Sequence, residues 1–287
     1  MKSIIKETPQ ETLEGYSLSC RTFDLIANYK IPYVVFLDGL AMGGASWYST
    51  QCKYRIVTER TSLSMPETAI GYFNFGGTYF LSRLKGNFGV FMGMTGYRVK
   101  GYDMIKVGLA SHYVENSKLD ELEIELIKCR TDEEIDQVLD RFASIPKTTD
   151  SDLDLVMPLI ENCFGPQTVE EIFDNLLKNG SEWSTDTLKI LNRMSPTSLK
   201  VAHRSVSLAK NLSIREILKM ELRVVMRFCE HPEFLEGIRA VLIDKDNNPN
   251  WNPKNLMNVS DGYVSEFFKL LKDCDELKFE TNFQNKL

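Results

Sequence analysis

The sequence is poor in the residues that would suit a metalloprotein, a redox protein or a nucleic-acid binder. Its 287 residues include three histidines, His112, His203 and His231, far apart along the chain. Packing or surface roles suit them better than a catalytic base or a metal ligand. The six cysteines, at positions 20, 52, 129, 163, 229 and 274, contain no C-x-x-C pair. That spacing fits neither a zinc site nor a compact disulfide framework, and a reduced intracellular protein is the plain reading. Positive charge is not in excess: the formal net charge is −6, which argues against a nucleic-acid footprint but leaves room for a local basic patch facing a phosphorylated ligand. No apolar run approaches the ~18 residues that cross a bilayer. Lys2 and Lys6 are quickly followed by Glu7, Glu11 and Glu14, unlike an Arg-rich, acid-poor mitochondrial presequence, and no secretory signal is seen. No metal, nucleic-acid or membrane partner is therefore expected.

What the chain does have is ordinary globular composition, 43% hydrophobic and 26% charged, with enough length for a sizeable core. Thr8-Pro9-Gln10-Glu11 has the form of a capping box and predicts a helix to about Tyr29. Pro32 to Leu37 reads as a buried strand ending in Asp38-Gly39, and Tyr54 to Thr58 as a second strand. Between them, Gly43-Gly44 opens a short helical segment containing Trp47. Helical stretches follow from about Thr78 and over Asn87 to Thr95, and Ile105 to Val114 is short and apolar. Beyond Lys118 the pattern becomes helical, with Leu119 to Lys128 and Asp132 to Phe142 ahead of a polar joint at Pro146 to Asp152. Thr168 with Glu171, and Ser213 with Glu216, are two further capping boxes leading apolar stripes, the first running through Val169, Ile172, Phe173, Leu176 and Leu177 to Gly180. The fold class expected is α/β, with a core over 1–118 and a helical region over 119–287 packing on it.

The most informative run is Met65-Pro66-Glu67-Thr68-Ala69-Ile70-Gly71. A glycine turn feeding a helix offers backbone N–H groups to a developing negative charge, and a carboxylate one strand later can reach the same point. Judged on its neighbours alone, Glu67 is either a reactive carboxylate or a partly exposed, inert glutamate kept by its turn. Gly44 likewise suits a tight turn whatever its chemistry.

Met42-Gly43-Gly44, the Met65–Gly71 run and Gly77-Thr78-Tyr79-Phe80-Leu81 resemble the crotonase superfamily. Met194-Ser195-Pro196-Thr197-Ser198-Leu199-Lys200, Glu236 to Asp246 and Pro249-Asn250-Trp251-Asn252-Pro253 are similar to its 3-hydroxyisobutyryl-CoA hydrolase branch, the thioesterases of valine breakdown. The resemblance runs from about Tyr16 to the C-terminus. It implies a β/α spiral, a short-chain hydroxyacyl-coenzyme A thioester as substrate, no separate cofactor, and a mitochondrial setting, against a cytoplasmic one if the N-terminus alone is weighed. It also implies an oxyanion hole of two backbone N–H groups: Gly44, with Gly43 beside it, falls where one donor sits, and Glu67 falls on the glutamate that activates water or attacks the thioester carbonyl.

Three departures from the family pattern fall on the chemistry. The family's leading strand–helix layers, with an Ala-Gly-Gly-Asp-type turn supplying the other donor, are expected ahead of Met1; the spiral therefore reads as incomplete, with an uncovered face open to a second copy or a protein partner. Where the family carries an aspartate after Glu-Thr-Ala-Ile, this chain has Gly71-Tyr72-Phe73-Asn74, one residue shorter, and Asn74 can hydrogen-bond but cannot deliver a proton at neutral pH. Ser19 stands where the family has a substrate-contacting glutamate. Three functions follow: a thioester hydrolase, here weak or silent; an inactive relative serving as a structural or binding module, as some relatives do in mitochondrial ribosomes; and a coenzyme A binder without turnover.

Overall fold

The computed structural model describes residues 8–146 and 151–279. Lys2, Lys6 and Glu7, and residues 147–150 of the polar joint, lie outside the described residues. Helix α1 (Pro9–Ala27) begins at the expected capping box, with Thr8 and Glu11 exchanging side-chain and backbone hydrogen bonds. The chain then alternates between two small sheets. Strand β1 (Val34–Leu37) passes through Gly39 into β2 (Leu40–Met42), and after helix α2 (Ala45–Thr50) the same step is repeated by β3 (Tyr54–Val57) and β4 (Ser62–Ser64). Each turn of this spiral adds one strand to each sheet. β1 pairs with β3 in parallel and β2 with β4 in parallel. The corner between β1 and β2 is tied by Asp38, which accepts hydrogen bonds from Thr58 Oγ1, Arg60 and Asn116 Nδ2.

Downstream come α3 (Thr78–Leu81), α4 (Phe88–Thr95), β5 (Val99–Lys100), α5 (Asp103–Val107) and β6 (His112–Tyr113). β5 closes the second sheet antiparallel to β4, and β6 extends the first beside β3. The apolar stretch Ile105–Val114 is thus divided between a helix and a strand. The expected strand at Pro32–Leu37 is shorter and less buried than its composition suggests. Only Leu37 is buried, Tyr33 is exposed, and β1 is a sheet edge among the described residues.

The rest is helical: α6 (Leu119–Lys128), α7 (Asp132–Phe142), α8 (Leu153–Cys163), α9 (Val169–Asn179), α10 (Glu182–Leu191), α11 (Pro196–Ala209), α12 (Ile214–Cys229), α13 (Pro232–Ile238) and α14 (Asp261–Glu266). The two remaining capping boxes stand where the sequence puts them, at Thr168 and Ser213, and Gly180 ends α9 in the left-handed conformation. Within the α9 stripe Val169, Ile172 and Leu176 are buried, whereas Leu177 is exposed. One apolar cluster joins the second sheet and α4 to α8, α9 and α11. Another joins α1, Trp47 and the Tyr72–Phe75 turn to α12. The helical half is therefore the wall against which the spiral's turns are pressed.

Candidate active site

The site grows from the register of two short strands. Met42 lies opposite Ser64 in the parallel β2–β4 ladder, so the segments leaving both strands emerge side by side. One is Gly43-Gly44; the other is Met65-Pro66 followed by a 3-10 turn over Glu67–Ile70. The Gly43 N–H donates to Ser64 O at 3.1 Å, locking the two exits together. Gly43 adopts a φ of +57°, and a Cβ there would stand 2.8 Å from Glu67 Oε1. Both the backbone conformation and the carboxylate beside it require glycine at this position.

The two glycines thus differ in what they offer. The Gly43 N–H is committed to β4, while the Gly44 N–H has no hydrogen-bond partner among the described residues, and Gly44 is exposed.

Glu67 is 8% exposed, so the reading of it as a partly exposed turn residue is corrected. Its turn is pinned from three sides. Thr68 Oγ1 donates to Met94 O of α4 at 3.0 Å, the Ser195 N–H at the start of α11 donates to Thr68 O at 3.1 Å, and a Cβ on Gly71 would strike Glu233 O of α13 at 2.3 Å. Asn74 Nδ2 donates to Glu67 Oε2 at 3.1 Å and to Met65 O at 3.4 Å. Asn74, at the position where the family pattern carries an aspartate, is therefore a direct neighbour of the carboxylate. Burial raises the Glu67 pKa to about 7; hydrogen bonds from its own backbone N–H and from Asn74 offset part of the rise, and the charge of Glu221 adds to it. A carboxyl balanced near neutrality can hold or give up a proton under ordinary conditions.

Glu221, on α12, escaped sequence reading. It is 1% exposed, and its Oε1 accepts the N–H groups of Gly76 at 3.1 Å and Thr78 at 3.2 Å. Its Oε2 has no partner among the described residues, and burial raises this pKa also to about 7. A signal was present: Ile217, Glu221, Val224 and Phe228 share the buried stripe of α12, and a glutamate on such a stripe is out of place unless it is held by donors.

The structure brings Gly43, Gly44, Glu67 and Asn74 together and leaves Ser19 elsewhere. Ser19 bonds to Gly15 O within α1 and lines a cavity of about 500 Å³ with Tyr16, Met226, Cys229 and Phe234, a lining that does not include Glu67. His203 bonds Pro166 O and His231 bonds Tyr263, and burial lowers both pKa values, which suits neutral packing histidines. Among the described residues no group of three or more His, Cys, Asp or Glu side chains could hold a metal ion, and no helix is long and apolar enough to cross a membrane.

The sequence profile described as enoyl-CoA hydratase/isomerase matches residues 4–268. A mouse (Mus musculus) protein named mitochondrial 3-hydroxyisobutyryl-CoA hydrolase is 42% identical over 261 residues, covering 88% of this chain and 67% of that protein. The chain thus spans about two thirds of that relative's length. Among solved structures, a carnitinyl-CoA dehydratase from Mycobacterium thermoresistibile is similar at a TM-score of 0.87 with 31% identity, covering 97% of this chain and 79% of that one. An enoyl-CoA hydratase from Rhodobacter sphaeroides gives 0.82 with 29% identity, over 96% and 79%. The chain belongs to the enoyl-CoA hydratase/isomerase family, in its 3-hydroxyisobutyryl-CoA hydrolase branch.

Proposed function

We propose that the protein hydrolyses a short-chain 3-hydroxyacyl-coenzyme A thioester, with 3-hydroxyisobutyryl-CoA as the first substrate to try, and that Glu67 is its reactive group. The observation that carries this reading is the buried Glu67 carboxyl lying against Gly43, one residue ahead of the exposed Gly44, whose N–H has no partner among the described residues. Ionised Glu67 takes a proton from water as the water oxygen bonds to the thioester carbon. The carbonyl π pair moves onto oxygen, where the Gly44 N–H stabilises it. The C–S bond then breaks as the carbonyl re-forms, and the leaving sulfur takes the proton from Glu67 to depart as free coenzyme A. The products are the hydroxy acid and a thiol.

The test is thiol release from 3-hydroxyisobutyryl-CoA by this chain and by Glu67→Gln. Turnover that falls by ~100-fold or more in the variant supports the assignment; equal turnover, or none in the folded parent chain, removes it.

A second reading, an inactive relative that acts as a scaffold, draws on Asn74, whose amide has no labile proton to pass to a leaving group. Asn74→Asp separates the two: gained turnover would mark this chain as a silenced hydrolase. The mitochondrial names of the relatives support the same compartment here, and imaging of the tagged full-length protein tests it. Ile31, Tyr33 and Leu40, exposed beside the edge strands β1 and β2, support a second copy or a protein partner at this face, which sedimentation of the purified chain tests.

A further inference from the structure

We propose that Glu221 is a positioning residue for Glu67: from α12 it anchors the Gly76–Thr78 turn, so that Asn74 keeps its hydrogen bond to Glu67, and it governs the charge state that Glu67 adopts. The inference rests on the reading of Glu67 as the reactive carboxylate.

The geometry is a chain of three links. Glu221 Oε1 gathers two backbone N–H groups, those of Gly76 and Thr78. The turn that carries them is closed by the Gly77 N–H donating to Asn74 O at 2.8 Å. At the head of that turn, Asn74 Nδ2 reaches Glu67 Oε2. The asparagine is therefore aimed by a carboxylate 145 residues further along the chain than Gly76. Without that anchor, two buried N–H groups lose their acceptor, and the turn is free to settle elsewhere.

The electrostatic link is separate from the mechanical one. Glu67 meets the Asn74 amide and the Gly43 backbone directly, the charge of Glu221 acts on it through the buried interior, and the Tyr72 phenol donates to the Tyr16 hydroxyl. Glu221 holds the Gly76 and Thr78 N–H groups, and the Cys20 thiol of α1, which bonds to Leu218 O of the same helix α12, is pushed up by burial and by the charge of Glu221. No Lys, Arg or His is within bonding reach of either carboxylate among the described residues. Two carboxyls in one dry region without a cation resist joint ionisation. Ionised Glu221 therefore holds back the ionisation of Glu67, and at higher pH Glu67 is released to act as a base.

Glu221→Gln keeps an oxygen to accept both N–H groups and removes the charge; Glu221→Ala removes both. The first measurement is a carbon-13 NMR titration of the Glu67 carboxyl, assigned by comparison with Glu67→Gln. In Glu221→Gln its midpoint is expected to fall by roughly half to one unit. An unchanged midpoint overturns the charge-state role, whether or not the chain turns over substrate. The second measurement is a cycle of Glu221→Ala, Asn74→Ala and the double variant, read as kcat with unfolding midpoints alongside. If Glu221 acts through Asn74, the double variant loses no more kcat than Asn74→Ala alone; losses that multiply overturn the positioning role. If Glu221→Ala does not fold, Glu221→Gln against Asn74→Ala is read instead: Glu221→Gln is expected to retain within ~3-fold of the parent kcat, and a loss equal to that of Asn74→Ala overturns the proposal. A midpoint that moves in a folded chain with no thioesterase activity would sustain the electrostatic link while removing the hydrolase reading.

Discussion

Glu67 and its glycine neighbour make the sharpest predictions. Gly43→Ala places a methyl group against Glu67 Oε1 and asks alanine to hold a left-handed φ. It is expected to cost ~1–3 kcal/mol of stability and to lower turnover, and adding Glu67→Ala should relieve the steric part but not the backbone part; denaturant midpoints of the three variants check this. Asn74 stabilises the ionised form of Glu67 by donating to it, so Asn74→Ala should move the acidic limb of the kcat/KM profile to higher pH, away from about 7. A limb that stays in place, or moves down, would mean that Asn74 does not serve the anion.

At the scale of elements, the 3-10 turn at Glu67 owes its placing to helices far along the chain. Gly71, at a φ of +67°, lies hard against the Glu233 carbonyl. Gly71→Ala is expected to push α13 off this turn and destabilise the fold by ~2 kcal/mol or more, with activity falling further than stability; thermal unfolding and thiol release measure the two losses. These elements were legible from sequence to different degrees. Thr8, Thr168 and Ser213 each stand three residues before a glutamate, a local and reciprocal signal, and the helices begin where they say. β2 and β4 have three residues each and β5 has two, too few for alternation to declare a strand, yet the β2–β4 register sets the site. Gly43, Gly44, Glu67 and Asn74 were found through a motif resemblance, whereas the Asn74–Glu67 bond and the role of Glu221 depend on chain segments that meet only in the folded protein. Leu177 shows the converse: it fits the apolar stripe of α9 by sequence but is 65% exposed.

For the molecule as a whole, the two buried carboxyls imply a particular response to pH. Glu67 and Glu221 both have folded-state pKa values raised from 4.5 to about 7. The folded chain therefore binds their protons more tightly than the unfolded chain. The stability this contributes is full below about pH 4.5 and is lost as pH rises through about 7. Unfolding midpoints should accordingly decline between pH 5 and pH 8 by more than in a Glu67→Gln, Glu221→Gln double variant, whose curve over that range should be flatter. Equal slopes would mean that the two groups titrate normally. The anchoring of the Asn74 turn by a glutamate on α12 also bears on how the protein is made. During synthesis, Gly43, Gly44 and Glu67 leave the ribosome well before Glu221 does, and before the Ser195 and Glu233 segments that pin the Glu67 turn. A growing chain thus carries every residue of the reactive cluster for much of its translation while lacking the supports that aim it. The cluster is fully aimed only once α12 and α13 have emerged, and a product terminated before them would lack those supports.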